Sequence, residues 1–407
     1  MDFEYQYSPE QEKFRQEVRT WLDQNVPQGT ASSVDPEEMT AELFAFAREM
    51  RRKLGRKGWL NPTFPKAYGG GGLTSEHEVI LDEELERRRV PILFSNPFLS
   101  AALLVWGTEE QRQKFLTGLL TGEIIAYQAF TEPQSGSDLA NIKCTAVHDG
   151  DDWIINGVKC FVTGPGPDRA DILFGPIMTD PTSPRHRNLG YFIIPGKAAG
   201  VKLVPMRLLN GNQQHFVYFD NVRVSAEYLI GGERQGWQVT MTSLEEEHGG
   251  RGRPMSPNAA SDLITYVRRS KHNGGALGQD PFTQQQVVDS YIESHIAGLL
   301  AVRNYSMFAQ RQEMSYHGSQ TAIVGRETGI RNNTRARDIV GLYGQLGTHE
   351  PGAPFGGWLE VRYGRSLPPH AGGTLEVQKT IVARRIGISR TQERAAPTPA
   401  TATKFTA

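Results

Sequence analysis

Thr131 to Ala140 reads TEPQSGSDLA, with Thr163 further along the chain. Thr131 and Glu132 close the apolar run Ile124 to Phe130, and Pro133, Gly136 and Ser137 then break the strand. A chain leaves a strand this way where backbone N–H and hydroxyl groups converge on something polar lying across an apolar wall. A second segment, WIINGVKCFVTG from Trp153, carries Asn156-Gly157 between two runs rich in β-branched and aromatic residues, which predicts a hairpin. Further on, Glu245, Glu246 and Glu247 form an acidic run on a predicted helix. Trp237, Thr240, Met241 and Leu244 make its apolar stripe; at about 100° per residue Glu246 falls opposite, and Glu245 and Glu247 lie on the two shoulders. Periodicity leaves both shoulders open. A carboxylate beside an apolar stripe becomes a base if desolvation lifts its pKa toward working pH. Without a pocket, the same residues are a solvated run of acids in the early turns of a helix.

The elements that must hold these residues change period along the chain. Residues 1–123 read as helical: Ser8-Pro9-Glu10 opens a helix, a basic amphipathic stretch covers Ala41 to Leu54, and further helices cover Ser75 to Arg88 and Glu109 to Leu120. Between 124 and 232, short β-rich runs separated by turn residues predict a compact antiparallel barrel or sandwich. Helical pattern returns over 233–391, broken at Lys271–Gln279 and at Gly341–Gly357, and 392–407 reads as a disordered tail. The fold class is therefore α+β, mostly α: a helical domain, a middle β domain and a helical bundle.

Bulk numbers exclude several function classes. The chain has 407 residues, 38% hydrophobic and 22% charged, with net charge −1. That balance gives no bulk argument for nucleic-acid or anionic-membrane binding. The longest apolar run, Phe98 to Trp106, is too short to span a bilayer. The acidic start MDFEYQYSPEQEKF is unlike a secretory signal, and the only cysteines, Cys144 and Cys160, sit in predicted strands as buried free thiols. A cytoplasmic protein without a metal site is expected.

The two strand segments, in that order, resemble the flavin-facing strands of the acyl-CoA dehydrogenases, whose pattern is close to TEPxxGSD followed by NGxKxWITN. The resemblance extends from YSPEQEKFRQEVRTWL near the start to GGTLEVQKTIVARRIG near the end, and implies the same helix–barrel–helix architecture. It implies FAD as cofactor and a CoA thioester oxidised between Cα and Cβ: a carboxylate takes the α-proton while the β-hydrogen leaves as hydride. By resemblance Phe130 and Thr131 contact one edge of the flavin ring, with Gly136 in the same loop. Thr163 offers its hydroxyl, Phe161 packs where a tryptophan is commoner, and Ser137 meets flavin phosphate or the CoA portion.

In many relatives the base is the glutamate of a YEGT motif, and here the matching residues are Ala371, Gly372, Gly373 and Thr374. Glycine accepts no proton, although Gly372 keeps the backbone N–H that in relatives serves as an oxyanion donor. Other relatives carry the base in a pattern near LxxERxxxG, and LEEEHGGRG from Leu244 puts Glu247 there, with His248 in place of the arginine. This variant resembles bacterial enzymes acting on steroid side chains and similarly bulky or cyclic acyl-CoAs. The segments that reach the adenine side of FAD in homotetrameric relatives match poorly, RRSKHNGGALGQ leaving only Arg268 or Arg269 as a substitute. Expected partners are therefore the acyl-CoA substrate, an electron-transfer flavoprotein, and a homo- or hetero-tetramer with a sister subunit. A non-catalytic subunit and an acyl-CoA oxidase are the alternative functions.

Overall fold

The computed structural model describes residues 7–27, 39–88, 90–91, 97–206, 208, 214–248, 260–272, 274–310, 312–347, 350–357, 359 and 372–389. The expected disordered tail, 392–407, lies outside them, as do Gly249, Gly250 and Ala371. The chain forms two compact units, one holding Glu10–Leu208 and Asn212–Glu247, the other His248–Glu393.

The first unit begins with helices α1 (Pro9–Asn25), α2 (Ala41–Arg56), α3 (Ser75–Arg87) and α4 (Pro97–Trp106). A further helical stretch runs from α5 (Glu109–Gln111) through a π-wound turn at Arg112–Leu116 into α6 (Thr117–Leu120). Thr108 starts it with a capping box, its hydroxyl accepting from the Gln111 amide while the Gln111 side chain accepts from the Thr108 amide. Val18, Leu22, Met50, Leu54, Trp59 and Leu81 close the core of α1 to α3. Beside it Glu84, 1% exposed, takes Arg15, Arg19 and Arg87 as ion-pair partners.

Eight strands follow: β1 (Ala126–Gln128), β2 (Thr145–Asp149), β3 (Asp152–Thr163), β4 (Ile172–Met178), β5 (Leu189–Pro195), β6 (Val201–Met206), β7 (Gln214–Ser225) and β8 (Leu229–Ile230). Their order is β6-β7-β3-β2-β4-β5-β8, with β1 against β4. The expectation of an all-antiparallel domain is corrected, because β1–β4 and β2–β4 are parallel. Strands β4 and β5 are buried almost end to end. Alternate residues serve two cores, which is why these strands read as continuous apolar runs rather than alternating ones. Leu173, Phe192 and Ile194 join Tyr127, Trp153 and Val217 in one core. Phe174, Tyr191 and Ile193 join Leu103, Phe115 and Leu116 of the helices in the other.

The hairpin predicted at Asn156-Gly157 does not form. Trp153 to Thr163 belong to one strand, and the turn is two residues, Gly150 and Asp151, between the paired Asp149 and Asp152. Gly150, at the first central position with φ 65°, supplies the backbone that such a turn needs. Asn156 instead faces a bulge in β7, where the register steps from Ile155–Val222 to Gly157–Phe219. Its side-chain oxygen accepts from the amide of Asn221, which is left-handed at φ 50°. Gly157 is required for a different reason: a Cβ there would lie 2.4 Å from Cys144 Sγ, at φ 138°.

The unit ends with α7 (Gly236–His248). The second unit contains α8 (Ser261–Arg269), a two-strand ribbon of β9 (Lys271–His272) and β10 (Gly275–Ala276), then α9 (Pro281–Ala309), α10 (His317–Val340) and α11 (Leu375–Arg385). Asp280 caps α9 ahead of Pro281 at its first turn. Leu263, Val267 and Leu277 form a small core, with Ala336 and Ile339 of α10 packed on it.

Candidate functional site

The site begins with a second bulge. Between the pairs Lys159–Val217 and Val162–His215, β3 uses one residue more than β7. An extra residue switches which side chains point inward. Trp153, Ile155 and Lys159 face the interior before the bulge and Val162 faces it afterwards, so Phe161 and Thr163 are both turned outward. Phe161 is 40% exposed and sits at φ 55°, a left-handed backbone that a bulky residue adopts at a cost of roughly 1–2 kcal/mol. Such strain persists only where the surroundings over-determine it.

The TEPQSGSD segment lies alongside this strand end. The Cys160 amide donates to the Thr131 carbonyl at 2.8 Å. Glu132 and Ser135 exchange two backbone hydrogen bonds, closing a tight loop that leaves Gly136 and Ser137 exposed. Phe130, 6% exposed, packs edge-on against Phe174 and Tyr191, each about 6 Å away. Thr131 is half-buried.

Sequence reasoning gave no role to the pair that joins the segments. Lys159 Nζ lies 2.9 Å from Glu132 Oε1, with side chains 1% and 0% exposed. It also donates to the carbonyls of Phe130 at 3.1 Å and Pro176 at 2.9 Å, so all three ammonium hydrogens are used. Glu132 accepts in turn from the amides of Lys143 and Cys144 and from Gln134. Burial pushes its carboxyl up; the charge of Lys159 and these hydrogen bonds outweigh that and hold it below the ordinary carboxylate range. A lysine in a strand of otherwise alternating burial, and an acid directly after the strand-ending threonine, were the available signals.

Two neighbours on β7 hold the end of β3. Gln214 Nε2 donates to Thr163 Oγ1 at 3.1 Å. His215 Nδ1 lies 3.1 Å from the Val162 carbonyl, and burial pushes its pKa down. Its ring stacks on Tyr127, whose hydroxyl donates to the Gly166 carbonyl at 2.8 Å.

Helix α7 packs with a face different from the one its apolar pattern predicts. Gly236, Val239, Thr240 and Ser243 are buried, whereas Trp237, Met241 and Leu244 are half-buried. The reason is polar: Tyr191 Oη and Ser243 Oγ pair at 2.8 Å, and Trp106 Nε1 donates to Thr242 at 2.9 Å. This rotates the buried sector by roughly 100° from the predicted stripe. Glu245 is exposed on the far side, while backbone position 247 falls within about 40° of Gly236, Thr240 and Ser243. The side chains of Glu247 and His248 lie outside the described ones. Trp237 stacks on His186, with ring centroids 4.4 Å apart.

In the second unit Gly372 and Gly373 lead into α11 with φ 65° and 77°. The Gly372 carbonyl accepts from Gln378 at 2.7 Å and from Arg326 at 3.2 Å, and Arg326 also donates to the Gly373 carbonyl. Arg268 and Arg269 are exposed in the last turn of α8. Among the described residues no group of three or more His, Cys, Asp or Glu could hold a metal ion. No described helix is long and apolar enough to cross a membrane.

A helical domain, a β domain with two polar segments joined side by side, and a helical bundle define an α+β scaffold. Residues 8–123, 128–222 and 234–387 match the models of the N-terminal, middle and C-terminal domains of acyl-CoA dehydrogenase, so the chain belongs to the acyl-CoA dehydrogenase family, FAD-dependent oxidoreductases acting on CH–CH bonds. It is similar to the acyl-CoA dehydrogenases FadE26 and FadE29 of Mycobacterium tuberculosis, 27% and 29% identical, each match covering 92% of this chain and 96% of the relative. Among solved structures it is similar to the Tcur3481-Tcur3483 steroid ACAD, with 27% identity and TM-score 0.81, covering 97% of this chain and all of that one. The ChsE4-ChsE5 complex of M. tuberculosis shares the fold at 24% identity and TM-score 0.78, covering 95% of this chain and all of that one.

Proposed function

We propose that this chain catalyses the α,β-dehydrogenation of a bulky or cyclic acyl-CoA thioester, with Glu247 as the base that removes the α-proton. The carrying observation is the outward-turned end of β3, where Phe161 and Thr163 stand exposed beside the Thr131 strand end in the same unit as α7. These residues fit a flavin: Thr163 presents a hydroxyl held from behind, and the buried Gln214 Oε1 beside it has no hydrogen-bond partner. FAD, when bound, supplies the acceptor for the β-hydrogen. The chain's own part is to hold the ring's polar edge through Thr131 and Thr163, to pack Phe130 and Phe161 near it, and to meet a phosphate with Ser137 beside Gly136. For Gly372 as oxyanion donor, the reading rests on the sequence pattern. Replacing Glu247 by Gln keeps shape but removes basicity, and anaerobic flavin reduction by substrate should fall by about 10²–10⁴-fold with binding kept. An equal loss in Glu245→Gln, with Glu247→Gln near normal, overturns the assignment, and full activity of both removes the base from this helix.

The bulky acyl group is supported by the likeness to a steroid ACAD. The substrate's electrons are assigned to an electron-transfer flavoprotein, and retained activity with oxygen alone would favour an oxidase. A sister subunit is also proposed. Val288, Ile292 and Ile296, four residues apart on α9, are 48%, 49% and 47% exposed, with Phe282 at 70%. That apolar stripe suits another helix of a similar chain. Size exclusion with flavin quantification decides it: a fully active homotetramer with one FAD per chain rejects the sister subunit and returns the adenine side to Arg268 or Arg269.

A further inference from the structure

Gln214 opens β7 and pairs in register with Thr163, the last residue of β3. It is 7% exposed, although both ends of its amide are polar. One of its two Nε2 hydrogens goes to Thr163 Oγ1, and its Oε1 is an orphan. Buried amides are seldom left half-satisfied, so such an atom calls for a reason. A hydroxyl whose oxygen accepts a hydrogen bond keeps its own proton to give. Thr163 is exposed, so that proton is available on the outward face of the strand. His215 fixes the preceding carbonyl from the same strand, leaving the hydroxyl little backbone freedom.

We propose that Gln214 is a positioning residue that commits the Thr163 hydroxyl to donate toward the flavin ring, and so sets how readily the bound flavin is reduced. This rests on the FAD reading given above. An unaided threonine hydroxyl rotates among staggered positions and donates or accepts in each. Fixed donors act on charge that develops in the ring without reorganising, and that is where Gln214 contributes. A merely structural glutamine would support the strand pair and leave the flavin's potential alone.

The test uses the full chain, with its partner subunit if one is needed, loaded with FAD. Affinity is followed by flavin fluorescence and the midpoint potential by equilibration with a reference dye. Gln214→Met keeps length without a donor, and it should retain FAD while changing the oxidised-to-reduced ratio about tenfold, or about 30 mV for a two-electron couple. Thr163→Val should shift the potential equally, and the double variant should shift it no further, because both remove one interaction. An unchanged potential, or shifts that add in the double variant, overturns the proposal. If Gln214→Met does not fold, Gln214→Leu takes its place in the cycle, and failure of both to hold FAD makes Gln214 structural. Wild-type protein that binds no FAD overturns the cofactor reading itself, an outcome the same titration reports separately.

Discussion

Replacing Lys159 by Met tests whether the two polar segments are held together by charge. The change keeps the length of the side chain and removes a fully used ammonium. It strands Glu132, whose side chain is 0% exposed, with three neutral donors and no cation. Breaking a buried pair on one side costs about 3–5 kcal/mol. The freed carbonyls of Phe130 and Pro176 place the estimate toward the upper end, at about 4–5 kcal/mol. Urea unfolding of the transition that carries the β domain measures it. The pH dependence is the sharper readout. In the native protein the Glu132 carboxyl lies below its ordinary range, so its stabilisation is complete above the ordinary carboxylate pKa and is lost as pH falls through the folded value. Without Lys159, burial is no longer outweighed and the carboxyl rises. The variant then recovers relative to wild type as pH falls from 8 to 5 and Glu132 takes a proton. Adding Glu132→Gln to Lys159→Met should restore part of the loss. A gap below about 1 kcal/mol, a gap independent of pH, or strictly additive single losses would refute the reasoning.

Glu84 is pushed up by burial and pulled down more strongly by Arg19, Arg87 and Arg15, to about 2. The helical core of α1 to α3 should therefore keep its stability down to about pH 4 and lose it as pH falls toward 2, and Glu84→Gln should flatten that profile in acid-unfolding curves. Gly157→Ala puts a Cβ 2.4 Å from Cys144 Sγ at φ 138°, and a destabilisation of about 2–4 kcal/mol is expected in thermal unfolding, with a loss under about 0.5 kcal/mol showing that the strand gives way. Cys144 and Cys160 are buried free thiols, and burial pushes Cys144 up to about 12. Both should resist thiol reagents in the native state and react together on denaturation; a reactive native thiol counts against the described core.

Much of this fold is legible in the sequence because its helices are long and amphipathic. The predicted Ala41–Leu54 and Ser75–Arg88 stand beside observed ends at Arg56 and Arg87. Errors arose where a local signal had a tertiary competitor. Asn156-Gly157 is a strong turn dipeptide, but its asparagine serves the bulge at Asn221 and its glycine makes room for Cys144. The face of α7 was misjudged because Ser243 counts as polar in a periodicity argument, yet it is buried against the Tyr191 hydroxyl. The positions of Thr131 and Thr163 were open to pattern reading. The buried lysine and glutamate joining their segments were not, because one charge within a strand and one in a distant loop make no period.

The bulge at Cys160–Phe161 gives the protein an arithmetic dependence. Whether a hydroxyl or a valine methyl faces outward at the end of β3 is decided by an odd or even count from Trp153. No side chain needs to change for the site to be lost. Regular alternation carried on from Lys159 without the bulge would leave every amino acid in place, yet turn Val162 outward and Thr163 inward. Substitution can grade the chemistry of this surface, but the bulge decides which side chains form it.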